Sequence, residues 1–96
     1  MYAHVNIWQV NETGASADDT VARELVDRLR RQPGFRSYTL VQTGEREVVA
    51  VTVFDSREQL ERAVESVADF VQQRVVPLAA GAPQRRRGEV RYYATA

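Results

Sequence analysis

The sequence predicts an α+β domain with the element order βαββαβ. Three observations carry that prediction. Two capped, amphipathic helical stretches alternate with β-patterned runs. A Thr43-Gly44-Glu45 turn joins two of those runs into a hairpin. Residues 48–54 are apolar at almost every position, as a central strand covered on both faces should be. Residues 1–96 read as a single domain.

Residues 2–10 alternate, with Ala3, Val5 and Ile7 on one face and Tyr2, His4, Asn6 and Trp8 on the other. Period-two alternation predicts a strand. Residues 11–14 read as the loop that ends it. Ser16 and Asp19 have capping-box spacing, and Ala22, Leu25, Val26 and Leu29 follow as one apolar helical stripe. Arg30 and Arg31 suit the negative end of that helix, and Pro33-Gly34 stops it. Residues 35–43 and 47–54 form the two hairpin strands. Ser56 and Gln59 repeat the capping box, and Leu60, Val64, Val67 and Val71 give a second helix to about Val76, where Pro77 disrupts it. Residues 78–88 read as a connection carrying Arg85-Arg86-Arg87, and residues 89–95 as a last strand rich in Tyr and Val.

Two right-handed β-α-β crossovers joined by a hairpin give one antiparallel sheet of order 4-1-3-2 with both helices on one face, a ferredoxin-like build. The more apolar row of a strand belongs in the core. Ala3, Val5 and Ile7 are therefore expected to pack on the helices, with His4, Asn6 and Trp8 pointing away. The uncovered sheet face would then form a larger apolar patch than monomers usually expose, which predicts a homodimer packed sheet to sheet.

Composition narrows the function. With 44% hydrophobic residues and a formal net charge of +0, the chain is globular rather than disordered and has no global field to attract nucleic acid. It has no Cys, one His and no paired ligand spacing, so no thiol nucleophile, disulfide or metal centre is expected. No apolar run approaches the roughly 20 residues of a membrane span, and the N-terminus lacks the pattern of a signal peptide. A cytoplasmic protein is the expectation. Arg85-Arg86-Arg87 has no aromatic interleaving and reads as a solvated loop.

Pro33-Gly34-Phe35, followed after the hairpin by Phe54-Asp55-Ser56-Arg57-Glu58-Gln59-Leu60, resembles the antibiotic biosynthesis monooxygenase-like family. The resemblance implies a dimeric α+β barrel of about this length. It also implies one of several activities: cofactor-free oxidation of aromatic polyketides with dioxygen, haem degradation, or none known. Haem-degrading members carry an Asn on the first strand plus a Trp and a His near the second helix. Asn6 can stand for the first, but no Trp or His follows Trp8, which argues against haem. Pockets in this family often lie between sheet and helices. That opens a second placement for the His4, Asn6 and Trp8 row, lining such a pocket.

His4 is the one side chain whose ordinary pKa lies near neutrality, which suits a general base. Its alternative is a packed interface histidine. Asn6 offers a donor and an acceptor, and Trp8 a flat stacking surface for a planar ligand. Both equally suit interface packing. Tyr38 and Tyr93 can donate to a phenolic ligand, and Arg91 can steady an enolate or carboxylate. β-Propensity and a cross-strand ion pair explain them as well. The expected catalytic set is thus His4, Asn6 and Arg91, with Trp8, Tyr38 and Tyr93 as ligand contacts. The leading function is a cofactor-free monooxygenase acting on an aromatic or enolisable molecule. The alternatives are a protein that binds such a molecule without turnover, and a dimeric stress-response or interaction domain.

Overall fold

A computed structural model describes residues 1–96. Strand β1 (Tyr2–Gln9) leads through a short helix α1 (Glu12–Ser16) into helix α2 (Thr20–Arg30). The hairpin strands β2 (Phe35–Gly44) and β3 (Glu47–Phe54) follow, then helix α3 (Arg57–Ser66) and a short α4 (Ala68–Phe70). A π-helical turn (Val71–Val75) and a 3-10 turn (Val76–Leu78) lead to strand β4 (Gln84–Glu89). The strands form one antiparallel sheet of order β2-β3-β1-β4, the expected ferredoxin-like arrangement. No helix is long and apolar enough to cross a membrane.

Local chemistry explains most boundaries. Ser56 caps α3 as expected: its Oγ accepts from the Gln59 amide at 3.2 Å and its hydroxyl donates to Gln59 Oε1 at 3.1 Å. The expected Ser16–Asp19 box does not form. Asn11 instead nucleates α1, its Oδ1 accepting from the Gly14 amide at 2.8 Å, so residues 11–14 enter a helix rather than a loop. Asp18 Oδ1 takes the Thr20 amide at 2.9 Å at the start of α2. The second helical stretch reaches Leu78 but changes character on the way. Pro77 lacks an N–H and its ring crowds the preceding turn, so the path widens before it and tightens after it.

A bulge at Arg36 in β2 sets the core. Phe35 pairs with Phe54 and Tyr38 with Thr52, so the extra residue puts both aromatics on the helix side. The Phe35 and Phe54 rings meet edge to face, 5.6 Å between centroids. Gly34 makes the preceding corner at φ 86°, and the Gln59 side chain fills the space a Cβ would need. Leu29, Phe54, Leu60, Ala63 and Val67 form the buried cluster, with Tyr2, Leu25 and Val64 packed against it.

Two expectations need correcting. The last strand starts at Gln84 and ends at Glu89, so Arg85, Arg86 and Arg87 are strand residues and Arg91, Tyr92 and Tyr93 lie beyond the strand. The run of arginines is poor in β-propensity, but charge is common on an edge strand, where it discourages pairing with other chains. The face assignment of β1 is also reversed. His4, Asn6 and Trp8 face α2, α3 and the π-helical turn, while Ala3, Val5 and Ile7 line the sheet face without helices. The rule that the more apolar row seeks the core fails because the helix side is only partly packed and accommodates polar groups beside a cavity.

Leu60 is fully buried. Leu60→Ala should lower the unfolding free energy by about 2–5 kcal/mol, and Ser56→Ala by about 0.5–2 kcal/mol. Urea denaturation measures both, and a Ser56→Ala loss as large as that of Leu60→Ala would contradict this division of roles.

Candidate functional site

Sheet and helices are closed at the Phe54–Leu60 end and part at the other, leaving an open cavity of about 870 Å³. That is within the range of sites for small organic molecules. Strand register arranges its floor in rows. One row runs His4, Thr52, Tyr38, with Arg87 opposite His4 in register but outside the lining, and the next runs Arg85, Asn6, Ala50, Leu40. Trp8 and Val48 continue the floor toward the far wall. The roof is apolar: Leu25 and Leu29 from α2, Val64 from α3, Val67, and Val71 and Val75 from the π-helical turn.

The far wall is stitched shut by backbone. Asn11 Nδ2 donates to the Pro77 carbonyl at 2.8 Å, and the Ala80 amide donates to the Gln9 carbonyl at 2.8 Å. Gly14 packs so closely against the Leu78 carbonyl that a Cβ there would collide with it. Arg74 holds Glu24 of α2 through two hydrogen bonds of 2.8 and 3.0 Å, bridging α2 and the π-helical turn.

His4 is 5% exposed, and its Nε2 is buried with no hydrogen-bond partner; Asn6 Oδ1 is likewise buried and unpartnered. Buried polar atoms are rarely left unpaired; these two stand on one face of β1, with the Asn6 side chain close enough to His4 to act on its protonation. Burial holds the His4 pKa below its ordinary value. Arg87 and Arg85 add to that depression, while Asn6 offsets part of it. His4 is therefore neutral at pH 7. Burial pushes the Tyr38 phenol up, so it stays protonated and can donate.

Among the expected site residues, His4, Asn6, Trp8 and Tyr38 line this one cavity. Arg91 and Tyr93 do not; they follow β4, with Tyr93 38% exposed. Their expected place beside β1 rested on a strand over residues 89–95. Sequence reasoning missed Thr52 and Arg85. Both follow from register alone once β4 is placed, because each lies on the same face as β1's even-numbered residues. No three His, Cys, Asp or Glu side chains come together as a metal site.

A four-stranded antiparallel sheet with its helices on one face and a partly polar cavity beneath them defines a small ferredoxin-like α+β domain. The family model for antibiotic biosynthesis monooxygenases matches residues 1–72, and the chain belongs to that family. No curated protein sequence matches it. Solved structures share the fold at low identity. The cofactor-independent oxygenase SnoaB from Streptomyces nogalater, as its N63A mutant, superposes with a TM-score of 0.79 at 20% identity, covering 96% of this chain and 94% of its own. Rv0793 from Mycobacterium tuberculosis gives 0.80 at 19% identity, covering 98% of both chains. NE2512, a Nitrosomonas europaea protein of unknown function, gives 0.83 at 9% identity, covering 99% of this chain and 93% of its own.

The His4 shift has a consequence for stability. Between its depressed folded pKa and the unfolded value of about 6.5, the unfolded chain binds more protons than the folded one. Stability from this group is complete above about pH 6.5 and falls as the pH drops through the window. His4→Gln should flatten that part of the profile. Urea midpoints of both proteins across this range test it, and parallel profiles would contradict a depressed pKa.

Proposed function

We propose that this chain is a cofactor-independent monooxygenase that works as a homodimer, its cavity holding a small planar molecule that is aromatic or enolisable. The observation that carries the reading is the pair of unpartnered buried atoms, His4 Nε2 and Asn6 Oδ1, beside Trp8 in an 870 Å³ cavity. Family membership and the fold shared with an oxygenase described as cofactor-independent support it.

Direct reaction with dioxygen requires an electron-rich carbanion or enolate. Neutral His4, in the tautomer that leaves Nε2 free, takes a proton from an activated CH2 group. The Tyr38 hydroxyl and the Asn6 Nδ2 group donate to the oxygen on which charge develops, in surroundings dry enough for those bonds to count, and the unpartnered Asn6 Oδ1 accepts from a hydroxyl of the substrate. Trp8 supplies a stacking wall. The carbanion and dioxygen combine, the proton returns as a hydroperoxide forms, and loss of water leaves a carbonyl. The balance is CH2 + O2 → C=O + H2O, and the substrate supplies every electron.

The homodimer reading rests on the sheet face without helices. Ala3, Val5, Ile7, Val49 and Val51 form an apolar field there that the chain's own helices leave partly exposed. Val41 on the same face is 45% exposed. A second copy packed on this face would remove it from water. Sedimentation should show a dimer at micromolar concentration and a monomer for Val51→Arg; a monomeric parent protein would contradict this assembly.

Oxygen consumption with hydroxylated polycyclic aromatics tests the activity. His4→Gln should lower kcat by about 10²–10⁴-fold, the usual share of a general base. Full activity in that variant would remove His4 from the mechanism. A panel member that binds tightly without consuming oxygen would favour a binding protein over an enzyme.

A further inference from the structure

We infer that the cavity is built for an anionic occupant, whose acidic group is held by Arg85 and Arg87 at the β4 edge. The inference rests on the reading of the cavity as a binding site and not on the oxidation proposed for it.

Arg85 and Arg87 pair across the sheet with Asn6 and His4 respectively, so both stand on the cavity side of β4. Side chains directly opposite in antiparallel strands are neighbours, about 5 Å apart at Cβ. Arg86 points to the other face and bonds back to the Arg85 carbonyl at 2.9 Å. The run of three arginines is thereby split by the strand's alternation: Arg85 lines the cavity, and Arg87 stands on the same face two residues further along.

Neither has an acidic partner. The ion pairs of the chain join Arg36 to Asp55, Arg46 to Glu12, Arg57 to Glu61 and Arg74 to Glu24. Two exposed cations without a counter-charge, one lining the cavity and one beside it on the same face, can close on a carboxylate or sulfonate, which guanidinium binds through two parallel hydrogen bonds. The acidic residues around the cavity, Asp18, Asp19 and Glu45, precede α2 or lie in the β2–β3 turn. In the sheet, β2 and β4 are the opposite edges. The charge therefore changes sign across the cavity mouth. An elongated anion is drawn with its acidic end to β4, which lays its apolar body across His4, Asn6 and Trp8.

The test uses a matched pair of fluorescent probes, anilinonaphthalene sulfonate and its neutral parent N-phenylnaphthylamine. Trp8 is the only tryptophan of the chain, so energy transfer from it reports probe binding, and the arginine variants locate the bound probe. The sulfonate should bind more tightly than the neutral probe and should weaken with added salt. Arg85→Gln combined with Arg87→Gln should reduce sulfonate affinity by about tenfold or more, with no change for the neutral probe. The corresponding lysine pair should recover part of the loss, and Arg86→Gln should change neither. All three substituted arginines are exposed, and circular dichroism verifies folding. Unchanged sulfonate affinity in the double variant, or equal loss of both probes, overturns the anion subsite. Failure of either probe to bind the parent protein overturns the cavity reading and this inference with it. The expected probe pattern without oxygen uptake on any substrate leaves the anion subsite supported and removes the oxygenase reading.

Discussion

Everything in this chain depends on the helices being pinned to the sheet at one end only. Phe54, Leu60 and Ala63 are essentially inaccessible to water, and Leu29 and Val67 close the cluster around them. Those few side chains fix the angle at which α2 and α3 leave the sheet. Beyond them the roof is held by ties at its margin: the Arg74–Glu24 pair, the Arg28 guanidinium 4.6 Å over the Phe70 ring, and the backbone stitches around Asn11. Surface ion pairs contribute little to stability individually. Their value here is geometric, since they hold two helical elements over a space that no side chain fills. A core filled to normal density along its whole length would have no room for a ligand.

This arrangement determines the electrostatics of the floor. His4 sits deep enough to lose solvation, and the arginines across the register disfavour its protonated form further. The two effects act in one direction and keep a proton acceptor available at neutral pH. The same cations that weaken His4 as a base would make a bound acid easier to deprotonate, since they stabilise its anion. In the proposed reaction, acceptor and substrate would thus be tuned by one pair of side chains.

The fold was legible because its signals are local and periodic. The Ser56–Gln59 cap, the hairpin signal around Gly44 and the two apolar stripes each act over a few residues, and together they fix the element order, although the turn itself falls at Glu45-Arg46, one residue later than the expected Thr43-Gly44-Glu45. The grouping of His4, Asn6 and Trp8 was legible for the same reason, since period two places them together wherever the strand lies. Which way that row faces was not. Alternation identifies two faces but does not say which is covered by the chain's own helices. Apolarity misled because the more apolar row lies on the face without helices. Strand β4 was illegible from propensity: Tyr92 and Tyr93 look like strand residues and three arginines do not, yet edge pairing with β1 took Gln84–Glu89.

That misplacement moved the cationic partner of the site, and the correction preserves the chemical logic. The sequence offered Arg91 as a positive group beside the first strand that could steady an enolate or carboxylate, with a cross-strand ion pair as its other reading. With the strand placed earlier, the same physical requirement is met by Arg87 opposite His4 and Arg85 opposite Asn6. An edge strand is suited to this task. Its outer margin is open to water, so the long arginine stems keep their charges solvated when the cavity is empty and can swing inward when an anion arrives. A central strand would have to bury those charges permanently, at a desolvation cost of several kcal/mol each. The charge therefore lies on the edge strand that meets both the cavity side of the sheet and the solvent, while the buried, neutral His4 occupies the neighbouring strand.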